Sequence, residues 1–260
     1  MRLSEKKRVI IRGVGFDALT QNEAASALSA HIQAGGGLAA VYTLNPEYLE
    51  AARRDETGRL FRAAESAELV VADGVGIIKA ARILKLPLYE KVAGVELGER
   101  MIKYAAENSI GVYLLGGKPG VAEAAAERLS GKYSGLSVLG AADGYFEKTG
   151  KASDAVIEKI AKSGAKLLFV CLGMPTQELW IYDNKKALEA AGISLAMGLG
   201  GALDVYSGGV RRAPRIFISL GLEWFWRLLR EPWRWRRMLV LPRFYIAVKK
   251  EARNNKKQKV

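Results

Sequence analysis

The chain has 260 residues, half of them apolar, and its formal net charge at pH 7 is +13. One cysteine and one histidine exclude an internal disulfide, and they argue against multi-cysteine metal sites and histidine-dependent catalytic triads. This length allows one large hydrophobic core, or one core with an appendage.

The amino-terminal part of the chain predicts strands joined by well-marked helices. Residues 9–16 are predicted to form a first strand. Thr20 with Glu23 three residues later is a capping box, which predicts the start of a helix. A second strand is predicted over 38–43, and Pro46 suits the first turn of the helix that follows.

Strand and helix patterns then alternate through the body of the chain. The predicted strands are 69–72, 112–115, 136–141, 166–172 and 193–197. The predicted helices cover 75–84, 96–107, 121–129 and 153–162, with a further helix that carries Trp180. This succession predicts an α/β fold with a mostly parallel, Rossmann-like sheet flanked by helices. We expect Cys171, within an apolar run, to be a buried strand thiol.

Polar or glycine-rich clusters follow directly after these strands. The carboxyl ends of parallel strands meet at one edge of an open sheet, which is the usual position of a ligand crevice. Glycine also serves tight turns that bind nothing, so one such loop would be weak support, whereas six together favour a site. The clusters contain Thr43 and Asn45, Asp73 and Gly74, Gly116 and Gly117, Asp143 and Gly144, Gln177, and Asp204.

Asp73 is the strongest catalytic candidate. It follows four apolar strand residues, so its carboxylate is expected at the sheet edge, partly removed from water, as suits a general base. An aspartate in this position would serve equally well as the N-cap of the next helix. By position alone, both alternatives remain open.

Two patterns bear on phosphate recognition. The Gly-Gly-Lys-Pro-Gly turn at 116–120 resembles a phosphate-binding loop, but it matches neither the dinucleotide fingerprint nor the P-loop, so NAD is not supported. The chain contains no Asp-x-Asp pair, so we expect no metal and no other cofactor. The charge of a leaving diphosphate would then be met by amides, helix N-termini or cations, for which Lys91, Arg211 and Arg212 are available.

The positive charge is concentrated at the carboxyl-terminal end. Residues 206–260 contain fifteen Lys and Arg against three Asp and Glu, while residues 1–205 contain twenty-five against twenty-four. Four of the five tryptophans fall within 224–235, interleaved with arginines, as suits a headgroup layer. We therefore expect a catalytic domain over 1–205 and a helical appendage over 206–260 that docks on an anionic membrane surface.

No run of the sequence is long and apolar enough to predict a spanning helix, and no secretory leader is evident. The chain is therefore expected to be cytoplasmic and at most peripheral to a membrane. An exposed Trp-rich tail would also favour homo-oligomers away from lipid.

At these motifs the sequence resembles the WecG/TagA/CpsF glycosyltransferase family. The matching segments occur in order from about residue 9 to 243, and their combination is far more specific than any one of them. They are TLNPE at 43–47, VADGVG at 71–76, EKVAG at 90–94, LLGG at 114–117, DGYF at 143–146, GMPTQE at 173–178, the segment 198–204, RAP at 212–214 and GLEW at 221–224.

The resemblance implies a peripheral enzyme at the cytoplasmic face of the plasma membrane. It implies an inverting transfer of an N-acetylmannosamine-type sugar from UDP to N-acetylglucosamine on undecaprenyl diphosphate, for wall teichoic acid or another surface polysaccharide. N-acetylmannosamine, its uronic acid and glucuronic acid all remain open as the donor sugar.

The resemblance also assigns roles to individual positions. The family's base falls on Asp73, and its active-site threonine and glutamine fall on Thr43 and Gln177. The position of a diphosphate-binding arginine holds Lys91, which keeps the charge but loses the bidentate geometry. The remaining substrate-binding candidates are Asn45, Gly74, Gly116, Gly117, Tyr145, Asp204, Arg212, Arg227, Arg234 and Arg237.

Two other functions remain as alternatives. Tryptophans stack on bases and arginines hold phosphates, so the tail would also suit a nucleic-acid-binding protein. The α/β pattern alone would suit a nicotinamide-dependent oxidoreductase, although the fingerprint is missing. The carboxylate and the glycine loops fit only an enzyme.

Overall fold

A computed structural model describes residues 2–5, 7–210, 214, 217, 223–230, 235 and 239–257. The strands are β1 Val9–Ile11, β2 Val14–Phe16, β3 Ala39–Leu44, β4 Leu69–Ala72, β5 Val112–Gly116, β6 Val138–Ala142, β7 Leu167–Cys171 and β8 Leu195–Gly198. The helices are α1 Gln21–Gln33, α2 Pro46–Arg54, α3 Arg59–Ser66, α4 Val75–Leu84, α5 Gly94–Glu107, α6 Val121–Lys132, α7 Gly150–Ser163, α8 Thr176–Asp183, α9 Lys185–Ala190, α10 Ala202–Tyr206, α11 Glu223–Arg230 and α12 Val240–Lys257.

Six strands form one parallel sheet in the order β4-β3-β8-β7-β5-β6. Five of these strands are buried along their whole length, as expected for a sheet covered on both faces. One face carries α2, α3, α4, α7, α8, α9 and α12, and the other carries α1, α5, α6 and α10. The predicted α/β fold with a parallel sheet flanked by helices is confirmed.

The prediction of a single first strand over 9–16 is wrong. Arg12 and Gly13 both have positive φ, 54° and 86°, and they form a two-residue turn between β1 and β2. The two short strands pair only with each other, outside the main sheet. Because the apolar residues on both sides of the turn all favour extended backbone, the apolar pattern did not distinguish one strand from a hairpin.

Two helices start at their predicted signals. The capping box of Thr20 and Glu23 is formed at the start of α1, and Pro46 lies in the first turn of α2. Helix α3 was not predicted. Its N-cap is Gly58, in a left-handed conformation without a side-chain capping bond, so the usual helix-start signal is missing.

The last helix of the chain packs against the body. Helix α12 contacts α2 and α4, and it buries Phe244 and Val248 completely in the same core as those helices. The Nη1 atom of Arg12, in the hairpin turn, lies 3.9 Å from the Oε2 atom of Glu251 on α12. The carboxyl-terminal part of the predicted appendage is therefore attached to one face of the sheet domain. None of the helices that the structure describes has the length and apolar character to cross a bilayer.

Substitutions on α12 should show how strongly it is attached. Val248→Ala removes two buried methyl groups, so we expect it to lower the free energy of unfolding by about 2 kcal/mol. Ile246 is 68% exposed on the same helix, so Ile246→Ala should change stability by less than about 0.5 kcal/mol. Urea unfolding of both variants measures the difference, and equal stabilities would show that the helix is not held by its buried side.

Candidate active site

All six strand-to-helix loops lie at one edge of the sheet, because all six strands run parallel. The loops after the neighbouring strands β3 and β8 diverge to opposite faces, one leading to α2 and the other to α10. Such a divergence opens a crevice between adjacent strand ends. The residues of this crevice come from the ends of β4, β3, β8 and β7.

Asp73 lies directly after β4 and is partly buried. Its backbone N–H donates to the carbonyl oxygen of Leu44 at 2.9 Å, which joins the ends of β4 and β3. Its Oδ2 atom lies 3.4 Å from the N–H of Gly94, the first residue of α5. The N-cap of α4 is Gly74 and carries no side-chain capping bond. Asp73 therefore faces the positive end of α5, and the capping alternative does not hold.

Thr43, on the neighbouring strand β3, is buried and pairs with Val71, two residues before Asp73. Its Oγ1 donates to the carbonyl oxygen of Gly198 at 2.9 Å, so it ties the end of β3 to the end of β8. A Cβ atom on Gly94 would lie 2.8 Å from this Oγ1. The start of α5 can approach both Thr43 and Asp73 only because Gly94 has no side chain.

Gln177, in the first turn of α8, is fully buried. Its Oε1 accepts from the N–H of Gly200 at 2.9 Å, and its Nε2 donates to Oε1 of Glu178 at 2.8 Å. Gly198 lies against the same side chain, where a Cβ would come within 3.1 Å of Nε2. Gln177 thus holds the loop after β8 in place. If Gln177 contributes to the site, as predicted, it would do so by fixing the position of this loop.

Glu178 is fully buried, and desolvation raises the pKa of its carboxyl from 4.5 to about 7, although the hydrogen bond from Gln177 opposes the shift. Glu178 interacts electrostatically with the hydroxyl groups of Tyr42 and Tyr48, whose pKa values burial raises well above their usual range. The folded protein therefore binds this proton up to about pH 7, whereas the unfolded chain releases it near pH 4.5.

Stability should consequently depend on pH through Glu178. Between pH 4.5 and about 7 the folded state binds more protons than the unfolded state, so the free energy of unfolding should fall by up to about 3 kcal/mol as pH rises. Urea unfolding across this range, with Glu178→Gln as the reference, isolates the contribution. Parallel pH dependences of the two proteins would show that Glu178 titrates normally.

Asn45 caps α2 at the end of β3. Its Oδ1 accepts from the N–H groups of Glu47 and Tyr48, at 2.8 and 3.3 Å. No residue that the structure describes accepts a hydrogen bond from its Nδ2, and the side chain is only partly buried. This amide can therefore cap the helix with its oxygen and present its N–H groups to the crevice.

Three further candidates lie around the same crevice. Gly74 has φ 94° with open space where a Cβ would stand, so a ligand can approach its backbone. Lys91 is partly buried, directly before Val92, whose N–H donates to the carbonyl oxygen of Ala72 at the end of β4. Asp204 is partly buried on α10, after β8.

The candidates after β5 and β6 lie apart from Asp73. Tyr145, 69% exposed, follows β6, five strand spacings or about 24 Å from β4. A Cβ on Gly116 would lie 2.3 Å from the carbonyl oxygen of Cys171, and the Gly117 N–H donates to that oxygen. The close packing of this loop against β7 therefore needs a glycine at position 116 and uses the backbone N–H of Gly117. These structural roles exist independently of any role in binding.

The thiol of Cys171 is buried, as predicted, and burial raises its pKa to about 12.

The candidate arginines of the carboxyl-terminal segment lie beyond what the structure describes. Arg212, Arg234 and Arg237 lie outside the described residues, and the side chain of Arg227, on α11, is also not described. Within the described ranges, no group of three or more His, Cys, Asp and Glu side chains is arranged to hold a metal ion.

Comparison with known proteins identifies the family of this fold and crevice. The profile of the Glycosyl transferase WecG/TagA/CpsF family matches residues 9–258. The chain belongs to this family. Two curated relatives bear the name N-acetylglucosaminyldiphosphoundecaprenol N-acetyl-beta-D-mannosaminyltransferase. The relative from Bacillus subtilis is 34% identical over 218 residues, or 84% of this chain and 82% of the relative. The relative from Bacillus spizizenii is 35% identical over 217 residues, or 84% and 81%.

The resemblance seen in the motifs is thus confirmed, and the protein is a WecG/TagA/CpsF glycosyltransferase. The individual site residues remain predictions. Two residues with clear structural roles in the crevice were not singled out from the sequence, Gly94 and Glu178. Both lie inside motifs that carry the family resemblance, at 90–94 and 173–178. Their presence in these motifs is the sequence feature that could have pointed to them. The role of Gly94 comes from its contact with Thr43, which is distant in the chain, whereas Glu178 bonds to its neighbour Gln177, which in turn binds the distant Gly200.

Proposed function

We propose that this protein transfers N-acetylmannosamine from UDP to N-acetylglucosaminyl-diphospho-undecaprenol, with inversion at the anomeric carbon, in wall teichoic acid or related surface polysaccharide synthesis. The names of the two relatives supply the acceptor and the sugar. The observation that carries the proposal is a partly buried Asp73 at the sheet edge, facing Gly94 at the start of α5, against which Thr43 also lies. Neither the structure nor the relatives support the nucleic-acid alternative.

The proposed reaction is a single displacement. An acceptor hydroxyl attacks C1 of the donor sugar, and a new C1–O bond forms while the bond from C1 to the diphosphate oxygen breaks. Asp73 takes the proton of the attacking hydroxyl, and UDP leaves with the bonding electron pair. Asp73 suits this role because it lies at the crevice, does not cap α4, and has its Oδ2 directed to the N–H of Gly94.

The proposed binding groups surround Asp73 in two sets. Close to it, we assign Thr43 and Gln177 to the shape of the crevice, and Asn45, Gly74, Lys91 and Asp204 to substrate contacts. At the far end of the sheet edge, Gly116, Gly117 and Tyr145 would meet the nucleotide. Arg212, Arg227, Arg234 and Arg237 would balance the charge of the diphosphate, as the resemblance implies.

We further propose that residues 1–205 form the catalytic domain and that 206–260 dock it on an anionic leaflet, at the cytoplasmic face of the membrane. Phe225, Leu229, Trp235 and Leu239 are 39–57% exposed, and the segment carries most of the net charge. Exposed apolar side chains among cations support binding to a headgroup layer. A lipid-linked acceptor would require the enzyme to work at that surface.

Release of UDP from UDP-N-acetylmannosamine tests the function directly, with a short-chain N-acetylglucosaminyl-diphospho-lipid as acceptor and EDTA present. We expect release only with both substrates, and a product heavier by one N-acetylhexosamine with a β linkage by NMR. Release only from a uronic acid donor would correct the sugar. No release with any UDP-sugar, together with no UDP binding, would contradict a nucleotide-sugar enzyme.

Asn45 offers a clean test of a proposed substrate contact. Asn45→Asp and Asn45→Ser both keep an oxygen that caps α2, but both remove the Nδ2 donor, and the aspartate adds a charge that repels diphosphate. We expect melting temperatures near that of the wild type. We also expect kcat/KM for transfer to fall at least about tenfold, more for Asp than for Ser. Unchanged kcat/KM in both variants would limit Asn45 to its capping role.

A further inference from the structure

Glu178 is a buried acid for which the proposed reaction has no direct use. Its side chain is fully buried, and its Oε2 atom makes no hydrogen bond with any residue that the structure describes. Its Oε1 accepts a 2.8 Å hydrogen bond from Nε2 of Gln177. Burying a carboxyl group with so few partners is costly, so its presence beside the crevice calls for a physical reason.

We propose that Glu178 is a positioning residue of the transferase site, which fixes the orientation of the Gln177 amide and thereby holds the loop 198–200 against the strand ends. This inference rests on the proposed function, because it adds a residue to the same reaction. Glu178 is not placed in contact with substrate. It acts through Gln177.

The orientation of the Gln177 amide has only one favourable choice while Glu178 accepts. The amide nitrogen faces the Glu178 oxygen, and the amide oxygen faces the N–H of Gly200. A flipped amide would set two N–H groups against each other at Gly200, and at Glu178 it would set two oxygens against each other whenever Oε1 carries no proton. Without an acceptor at position 178, the flipped amide is no longer penalised at that end, and only the Gly200 N–H still selects the orientation of the Gln177 amide.

The orientation of Gln177 matters because of what the loop 198–200 holds. The Gly200 N–H is bound by Gln177, and the Leu199 N–H donates to the carbonyl oxygen of Val170 at 3.0 Å. The carbonyl oxygen of Gly198 accepts from Thr43, which packs on Gly94, the residue facing Asp73. A continuous series of contacts therefore runs from Glu178 across the sheet edge to the proposed base.

The surroundings of Glu178 favour its neutral form, which still accepts through its carbonyl oxygen. Tyr42 and Tyr48 are titratable groups that interact electrostatically with Glu178, and the Tyr42 hydroxyl donates to the backbone oxygen of Glu178. Charged groups on α8 and on the elements next to it form pairs with one another. These pairs are Arg59 with Asp183 and Lys185 with Glu68. A glutamine at position 178 should therefore keep the function, since its amide oxygen can accept from Gln177.

The test compares Glu178→Gln with Glu178→Met, which has similar length but no acceptor comparable to a carbonyl oxygen. We expect Glu178→Met to exchange the Gly200 amide proton at least about tenfold faster and to lose at least about tenfold in kcat/KM. Glu178→Gln should stay within about threefold of the wild type in both. A general loss of stability would affect both variants, whereas rescue by glutamine requires the acceptor.

Glu68→Gln is the matched control, because Glu68 is also buried and accepts from the Ala40 N–H, but at the opposite end of the strands. We expect Glu68→Gln to leave the transfer activity unchanged. The hydrogen-exchange rate of the Gly200 amide, compared with the rates of other core amides, should also be unchanged. Wild-type exchange at Gly200 in Glu178→Met, or equal impairment of both position 178 variants, would overturn the inference. Hydrogen exchange needs no substrate, so this result is independent of whether N-acetylmannosamine proves to be the sugar.

Discussion

Asp73→Asn should reduce sugar transfer by about 10²- to 10⁴-fold while UDP-sugar binding stays within about threefold of the wild type. The magnitude is that of a lost general base. Asparagine keeps the size of the side chain and an oxygen that can accept from Gly94, so the crevice should keep its shape. What it cannot do is take the proton from the acceptor hydroxyl.

The measurement is kcat for UDP release with saturating donor and acceptor, alongside calorimetric binding of the donor. Asp154 provides the control, because it is an exposed aspartate on α7, and Asp154→Asn should leave kcat unchanged. Rates should be compared across pH, since loss of a base should also remove the rise in wild-type activity above the pKa of that base. Near-normal turnover in Asp73→Asn would remove Asp73 from the mechanism.

Asp17→Ala should be the most destabilising single change proposed, at about 3–5 kcal/mol. Asp17 is buried at the end of β2, and its Oδ2 accepts from Arg8 at 3.1 Å and from the Val70 N–H at 2.9 Å. Its Oδ1 accepts from Arg2 at 2.5 Å. Removing the carboxylate leaves a largely buried guanidinium and a buried backbone N–H without this acceptor, which is the costly way to break an ion pair.

The free energy of unfolding in urea measures the effect. Asp183→Ala is a suitable comparison, because it breaks the pair with Arg59 in which the side chains are 39% and 46% exposed. An exposed pair should contribute less than about 1 kcal/mol. If the two variants lost equal stability, Asp17 would not be what joins the hairpin to β4. Transfer activity at low temperature should be retained in both, since neither residue lies at the crevice.

Local patterns predicted much of the architecture. Helix α4 begins and ends where the pattern placed it, and the capping box of Thr20 and Glu23 is formed. The glycine and polar clusters were predicted to meet at one edge of a parallel sheet, and the loops that carry them do lie at one edge. These features follow from residues near one another in the chain, so a single sequence contains them. The resemblance added the family, which no periodicity would have supplied.

Features that depend on distant contacts were not predictable in this way. The segment 9–16 folds back at Arg12 and Gly13, and α12 packs on α2 and α4 through Phe244 and Val248. An amphipathic helix has the same pattern whether its apolar side meets a membrane or a protein core. Only the packing of α12 shows that its buried side faces the body.

The sequence by itself determined that this is an α/β protein, and it predicted a site at the strand ends with Asp73 as its base while leaving the capping alternative open. The tertiary structure decided that alternative, because Gly74 caps α4 and Asp73 faces Gly94. It also decided that Gln177 is buried against Glu178 and Gly200. Strand order brings β8 between β3 and β7, and these contacts exist only once residues far apart in the chain become neighbours.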